Sequence, residues 1–201
     1  MFLPYGTGVL LVKNREKLRM SFDFTGTYLP EQRDTENPLL DDMMYLSPEL
    51  TREFRGLRIW LPLKMLGVKL FRKQLEEKLD FAQWVTQQLS LIPNIQIVAR
   101  PQFSVLAFKL DPQGYDLDPK ALDQLNKEFL DAINQQGNIL LSPFKRVHNT
   151  DGEFCIRMAI LSCRTTLTHL EQGIIDIQNA AHEVMKQLKT DQNNRLACTI
   201  C

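Results

Sequence analysis

Apolar residues change their spacing three times along the chain, and the changes divide it into four stretches. Val9-Leu10-Leu11-Val12 is a continuous apolar run following Gly6-Thr7-Gly8. It predicts a buried strand entered through a glycine turn. Across residues 25–46 no period survives, because Gly26, Pro30 and Pro38 lie among Glu31, Arg33, Asp34, Glu36, Asp41 and Asp42. A polar loop of that length is either a functional lid or a plain linker. Helical spacing then sets in. Ser47-Pro48-Glu49 offers a capping hydroxyl, a proline for the first helical position and an acid in the first turn. Leu50, Phe54, Leu57 and Leu61 follow on one face, with Pro62 predicted to kink the helix and Gly67 to end it. A longer helix buries Phe71, Leu75, Leu79, Ala82, Val85 and Leu89, sets Glu76, Glu77 and Lys78 opposite, and stops at Pro93.

Beyond Pro93 the period shortens. Ile95-Gln96-Ile97-Val98 and Ser104-Val105-Leu106-Ala107-Phe108 read as strands on either side of Pro101. Leu122, Leu125, Phe129 and Ile133 mark an amphipathic helix ended at Gly137. Ile139-Leu140-Leu141 and the run from Phe154 to Ile160 predict two more strands. The closing helix, with Thr168 and Glu171 as a capping box, buries Leu170, Ile174, Ile177, Ala181, Val184 and Leu188. The order β-β-α-β-β-α predicts a small antiparallel sheet with helices on one face.

Composition narrows the function classes. Twenty-four basic residues balance twenty-four acidic ones, so no global field favours nucleic acid or an anionic membrane. No apolar run approaches the roughly 18–20 residues that span a bilayer. The N-terminus lacks the charged region of a signal peptide. Four cysteines, all late in the chain, make no disulfide framework, and the cytoplasm is the expected compartment. Cys198-Thr199-Ile200-Cys201 matches both a redox C-x-x-C and a prenylation box. The first lacks a second ligand pair and the second a polybasic stretch, so a tail is expected.

Residues suited to chemistry are few. His148, His169 and His182 have no histidine or cysteine three or four residues away, which makes them surface histidines and predicts no metal. The Gly6-Thr7-Gly8 turn would let a phosphate approach the backbone. Arg52, Arg55 and Arg58 recur at threes, either to collect anions or as a solvated helix face. Arg157 lies within an apolar strand, where a charge needs a partner. Tyr28 is the one acid–base group in the possible lid.

The string Phe2-Leu3-Pro4-Tyr5-Gly6-Thr7-Gly8 resembles the segment just after the cofactor lysine of group II pyridoxal-phosphate-dependent amino-acid decarboxylases. That family includes the aromatic-amino-acid, histidine and glutamate decarboxylases. The resemblance continues through Ser47-Pro48-Glu49-Leu50-Thr51-Arg52-Glu53-Phe54-Arg55-Gly56-Leu57-Arg58-Ile59-Trp60, then at Lys64 and Gly67, at Phe154-Cys155-Ile156-Arg157, and at Ser162, Arg164 and Thr165.

It implies an α/β fold: the C-terminal remnant of a type I pyridoxal-phosphate enzyme's large domain, over residues 1–66 with mobile loop 25–46. A linking helix and a small α+β domain would follow over residues 67–192, and a tail over residues 193–201. It implies loss of the α-carboxyl group of an L-amino acid through a Schiff base with pyridoxal phosphate, Tyr28 as the loop acid that protonates the α-carbon, and Tyr5, Gly6 and Thr7 beside the cofactor. Leu50 and Arg52 would lie at a substrate site shared across a homodimer. The family's lysine follows a histidine upstream of the Phe-Leu-Pro-Tyr string, and no lysine here follows a histidine. The resemblance therefore implies a chain inactive alone, pairing with itself or with a missing N-terminal half. The alternative is a non-catalytic α+β interaction or dimerisation module.

Overall fold

The computed structural model describes residues 3, 6–22, 43–148 and 151–199. The chain divides into two compact units, Leu3–Gly67 and one over Val68–Cys201.

In the first unit, helix α1 spans Arg15–Phe22, a short 3-10 turn spans Met43–Leu46, and helix α2 spans Leu57–Leu66. The Asn14 side chain accepts from the Lys17 amide at 3.1 Å and so caps α1. The Arg19 guanidinium stands 5.7 Å from the centroid of the buried Tyr45 ring, tying α1 to the 3-10 turn. Two sequence expectations fail here. Val9-Leu10-Leu11-Val12 forms no strand and is exposed, Leu11 at 91%. A buried strand needs neighbours on its edges and faces, and none pairs with it among the described residues. Ser47 caps no helix: its hydroxyl instead donates to the Glu49 carbonyl at 3.3 Å, and residues 47–54 stay irregular until α2 begins at Leu57. Pro62 lies inside α2. The helix closes at Gly67, whose φ of 78° suits glycine and whose amide returns to the Leu63 carbonyl.

The second unit runs α3 (Val68–Leu91), β1 (Ile95–Gln102), β2 (Val105–Leu110), α4 (Pro119–Gln135), β3 (Ser142–His148), β4 (Asp151–Ala159) and α5 (Leu167–Thr199). The strands form one antiparallel sheet in the order β1-β2-β4-β3. Strand alternation decides the core. Leu106, Phe108 and Leu110 of β2 and Phe154, Ile156 and Met158 of β4 meet Ala82, Val85 and Leu89 of α3, Phe129 and Ile133 of α4, and Ile177 and Val184 of α5. Lys109, Cys155 and Arg157 take the opposite face. This is the sheet with helices on one side that the apolar spacing predicts.

Polar side chains fix the strand ends. Asn126, fully buried on α4, accepts from the Leu110 amide at 2.7 Å and donates to the Leu110 carbonyl at 2.9 Å, doing for the end of β2 what a neighbouring strand does elsewhere. Asn134 holds the amide and carbonyl of Leu141 in the same way. That clamp takes Leu141 out of the sheet, so β3 begins at Ser142 and the strand predicted at Ile139-Leu140-Leu141 does not form. Lys78, 2% exposed, donates to the Thr165 carbonyl at 2.7 Å and ties α3 to the loop before α5. The start of α5 corrects a further expectation. His169 Nδ1 accepts from the Thr166 amide at 3.1 Å, in place of a Thr168–Glu171 capping box.

Candidate active-site remnant

The irregular segment before α2 folds back towards the glycine turn. Gly6, Gly8, Val9, Leu10, Arg52, Arg55, Gly56 and Ile59 line a half-open cavity of about 400 Å³ within the first unit. Gly6 holds φ at +78°, a conformation that favours glycine, and the Arg58 guanidinium passes 3.5 Å from where a side-chain Cβ would stand. The turn thus keeps the backbone low where the arginines converge.

The arginines are not equivalent. Arg55 pairs with Glu49 at 3.3 Å and Glu53 at 3.8 Å, and Arg58 with Glu53 at 2.9 Å. Their charge is largely answered inside the segment. Arg52 donates to the Ser47 hydroxyl at 3.1 Å, a neutral partner that leaves most of the guanidinium's five N–H donors for an anion. The cavity is therefore suited to receive a carboxylate or phosphate at Arg52 beside an open glycine turn.

Of the residues singled out in the sequence, the structure brings Gly6 and Arg52 to one cavity. Thr7 is half-buried beside Gly6 and does not line it, and Leu50 is 50% exposed and stands outside it. Tyr5 and Tyr28, and residues 25–42 of the loop, lie outside the described residues. The supporting Glu49 and Glu53 carried no functional signal in the sequence, since their role depends on which arginine each one occupies. Among the described residues no group of three or more His, Cys, Asp or Glu side chains could hold a metal, and no helix is long and apolar enough to cross a membrane.

The two buried lysines are both committed elsewhere. Lys78 is bonded to Thr165 and Glu77, and its ammonium lies 4.7 Å from the centroid of the Phe81 ring. Lys109 is held by Glu153 at 2.6 Å and Asp111 at 3.7 Å.

Residues 1–111 match the model of the pyridoxal-dependent decarboxylase conserved domain. The chain is 25% identical over 186 residues to the aromatic-L-amino-acid decarboxylase of Bacillus atrophaeus, covering 92% of this chain and 37% of that protein. It is 26% identical over 178 residues to the phenylacetaldehyde synthase of Arabidopsis thaliana, covering 88% and 35%. Among solved structures, Oryza sativa TDC with PLP and tryptamine superposes with a TM-score of 0.68 at 17% identity, over 85% of this chain and 34% of that one. The chain spans about a third of the length of these relatives. With more than half of its residues matched by the family model, the chain belongs to the pyridoxal-dependent decarboxylases.

Proposed function

We propose that this chain is the C-terminal part of a carboxy-lyase that removes the α-carboxyl group of an L-amino acid with pyridoxal phosphate as cofactor. The observation that carries the reading is the cavity where an arginine with donors to spare faces a glycine turn, in a chain of this family. The described residues fit the anionic ends of cofactor and substrate, whereas the covalent anchor is not among them. When bound, pyridoxal phosphate supplies the electron sink that takes up the pair left by departing CO2.

The chain's own residues supply the rest. Tyr5, Gly6 and Thr7 run beside the cofactor, and Gly6 lets the backbone approach it. Arg52 receives a carboxylate, and Leu50 borders the site shared across a homodimer. Tyr28 on the 25–46 loop donates its Oη proton to the α-carbon after the C–C bond to the carboxyl group has broken, then recovers a proton from water. The family resemblance implies that phenylalanine at that position would favour aldehyde synthesis, so tyrosine favours simple decarboxylation. The working enzyme is a cytoplasmic homodimer containing the remaining two-thirds of the family fold.

The test uses the longest polypeptide that contains this chain, scanned for an upstream His-Lys pair and assayed for CO2 release from L-amino acids. Tyr28→Phe lowers turnover by about 10²-fold or more, the usual share of a positioned acid. Arg52→Gln raises KM more than it lowers kcat. A polypeptide without a His-Lys pair, or one whose turnover ignores both substitutions, overturns the proposal. The 201-residue chain alone, mixed with pyridoxal phosphate, develops no absorbance band of a bound cofactor.

The second reading, a non-catalytic interaction module, draws on the commitment of Lys78 and Lys109 to structural bonds. It would be favoured by a stable complex formed without cofactor uptake.

A further inference from the structure

Arg157 is a charge of the second unit that has no counter-ion among the described residues. It sits on β4, a central strand, and is half-buried. Its register neighbours are Ala107 on β2 and Ser142 on β3, both too short to cover a guanidinium or answer its charge. Glu153, on the same face of β4, is already held by Lys109 at 2.6 Å. Among the described residues no side chain bonds to Arg157. A half-buried cation of permanent charge without a counter-ion is costly.

Its surroundings suit a specific ligand. Arg157 borders a half-open cavity of about 360 Å³ with Ser142, Thr165 and His169. His169 Nδ1 accepts the Thr166 amide, so the neutral ring carries its proton on Nε2 and presents a second donor. Leu140 lines the same cavity and is 86% exposed. We propose that Arg157 is the receptor of a carboxylate, taken by the guanidinium fork with His169 as auxiliary donor and Leu140 as an apolar contact beside it. The carboxylate belongs to a free small acid or to an acidic side chain of another polypeptide segment.

The test follows the Arg157 Nε–Hε resonance of the labelled chain by NMR at low salt. One titration uses acetate and the other acetyl-Leu-Glu-Leu-amide. A saturable shift with either probe is expected. Peptide binding at least about ten-fold tighter than acetate assigns the carboxylate to a polypeptide segment flanked by apolar residues, and equal affinities assign it to a small acid. Arg157→Lys keeps the charge but loses the fork, and weakens binding about ten-fold. Arg157→Gln abolishes binding while far-UV circular dichroism stays unchanged; if that variant does not fold, Arg157→Lys carries the comparison. No saturable shift with either probe overturns the proposal, and so does binding undiminished in a folded variant.

Discussion

Replacing Asn126 with alanine tests whether a buried carboxamide completes the sheet. The side chain has no exposure and makes three bonds, accepting from the Leu110 amide at 2.7 Å and donating to the Leu110 and Leu122 carbonyls at 2.9 Å each. Leu110 is itself fully buried, so alanine leaves both its amide and its carbonyl without these partners and out of reach of bulk water. Each orphaned buried group costs about 1–3 kcal/mol, and partial relaxation brings the pair to about 3 kcal/mol. That is a large share of the roughly 5–15 kcal/mol that holds a domain. With a urea m-value of about 2 kcal/mol/M, the midpoint falls by about 1.5 M. Asn126→Asp is at least as damaging, because it turns an oxygen towards two carbonyls. Urea unfolding followed by circular dichroism measures the loss, and hydrogen exchange at the Leu110 amide locates it. A loss below about 1 kcal/mol, or unchanged exchange at Leu110, would refute the reasoning.

Phe129 is fully buried and meets Phe108 edge to face at 6.4 Å between ring centroids. Phe129→Ala therefore costs about 3–5 kcal/mol in the same urea assay, mostly as a cavity. Lys78→Ala removes a charged donor from the Thr165 carbonyl and costs about 1.5–3 kcal/mol, visible as a lower thermal midpoint. Burial, reinforced by the Glu153 charge, pushes the Cys155 thiol from 9.0 up to about 11. The unfolded thiol ionises first, so this group's contribution to stability is complete below pH 9 and is lost as pH rises towards 11. In a chain whose other cysteines are replaced by serine, a thiol reagent at pH 8 modifies Cys155 only upon unfolding.

How much was legible in the sequence depended on the range of the interaction. The second unit is built on local period, and Phe108, Phe129, Ile133, Ile177 and Val184 reach the core by the same alternation and helical spacing that the sequence displays. The first unit resisted that reading. Val9-Leu10-Leu11-Val12 has the composition of a buried strand, but burial comes from neighbours that local composition does not specify. Ser47-Pro48-Glu49 has the chemistry of a helix start, yet its hydroxyl and acid are taken by the Glu49 carbonyl and by Arg55.

The sequence by itself determined the family resemblance, the order of the second unit's elements and most of the face that its helices bury, because these follow from residue identity and spacing. On α3, however, Leu75 and Leu79, expected inside, are 39% exposed, and Lys78, expected on the opposite face, is buried. Tertiary structure decided which polar groups were committed. Only the fold turned Asn126 and Asn134 into substitutes for missing strands, locked Lys78 and Lys109 into structural bonds, and separated Arg52 and Arg157 from the arginines whose charge is answered. Such assignments depend on contacts between residues far apart in the chain, and a hydrogen bond of 2.7 Å leaves no trace in local periodicity.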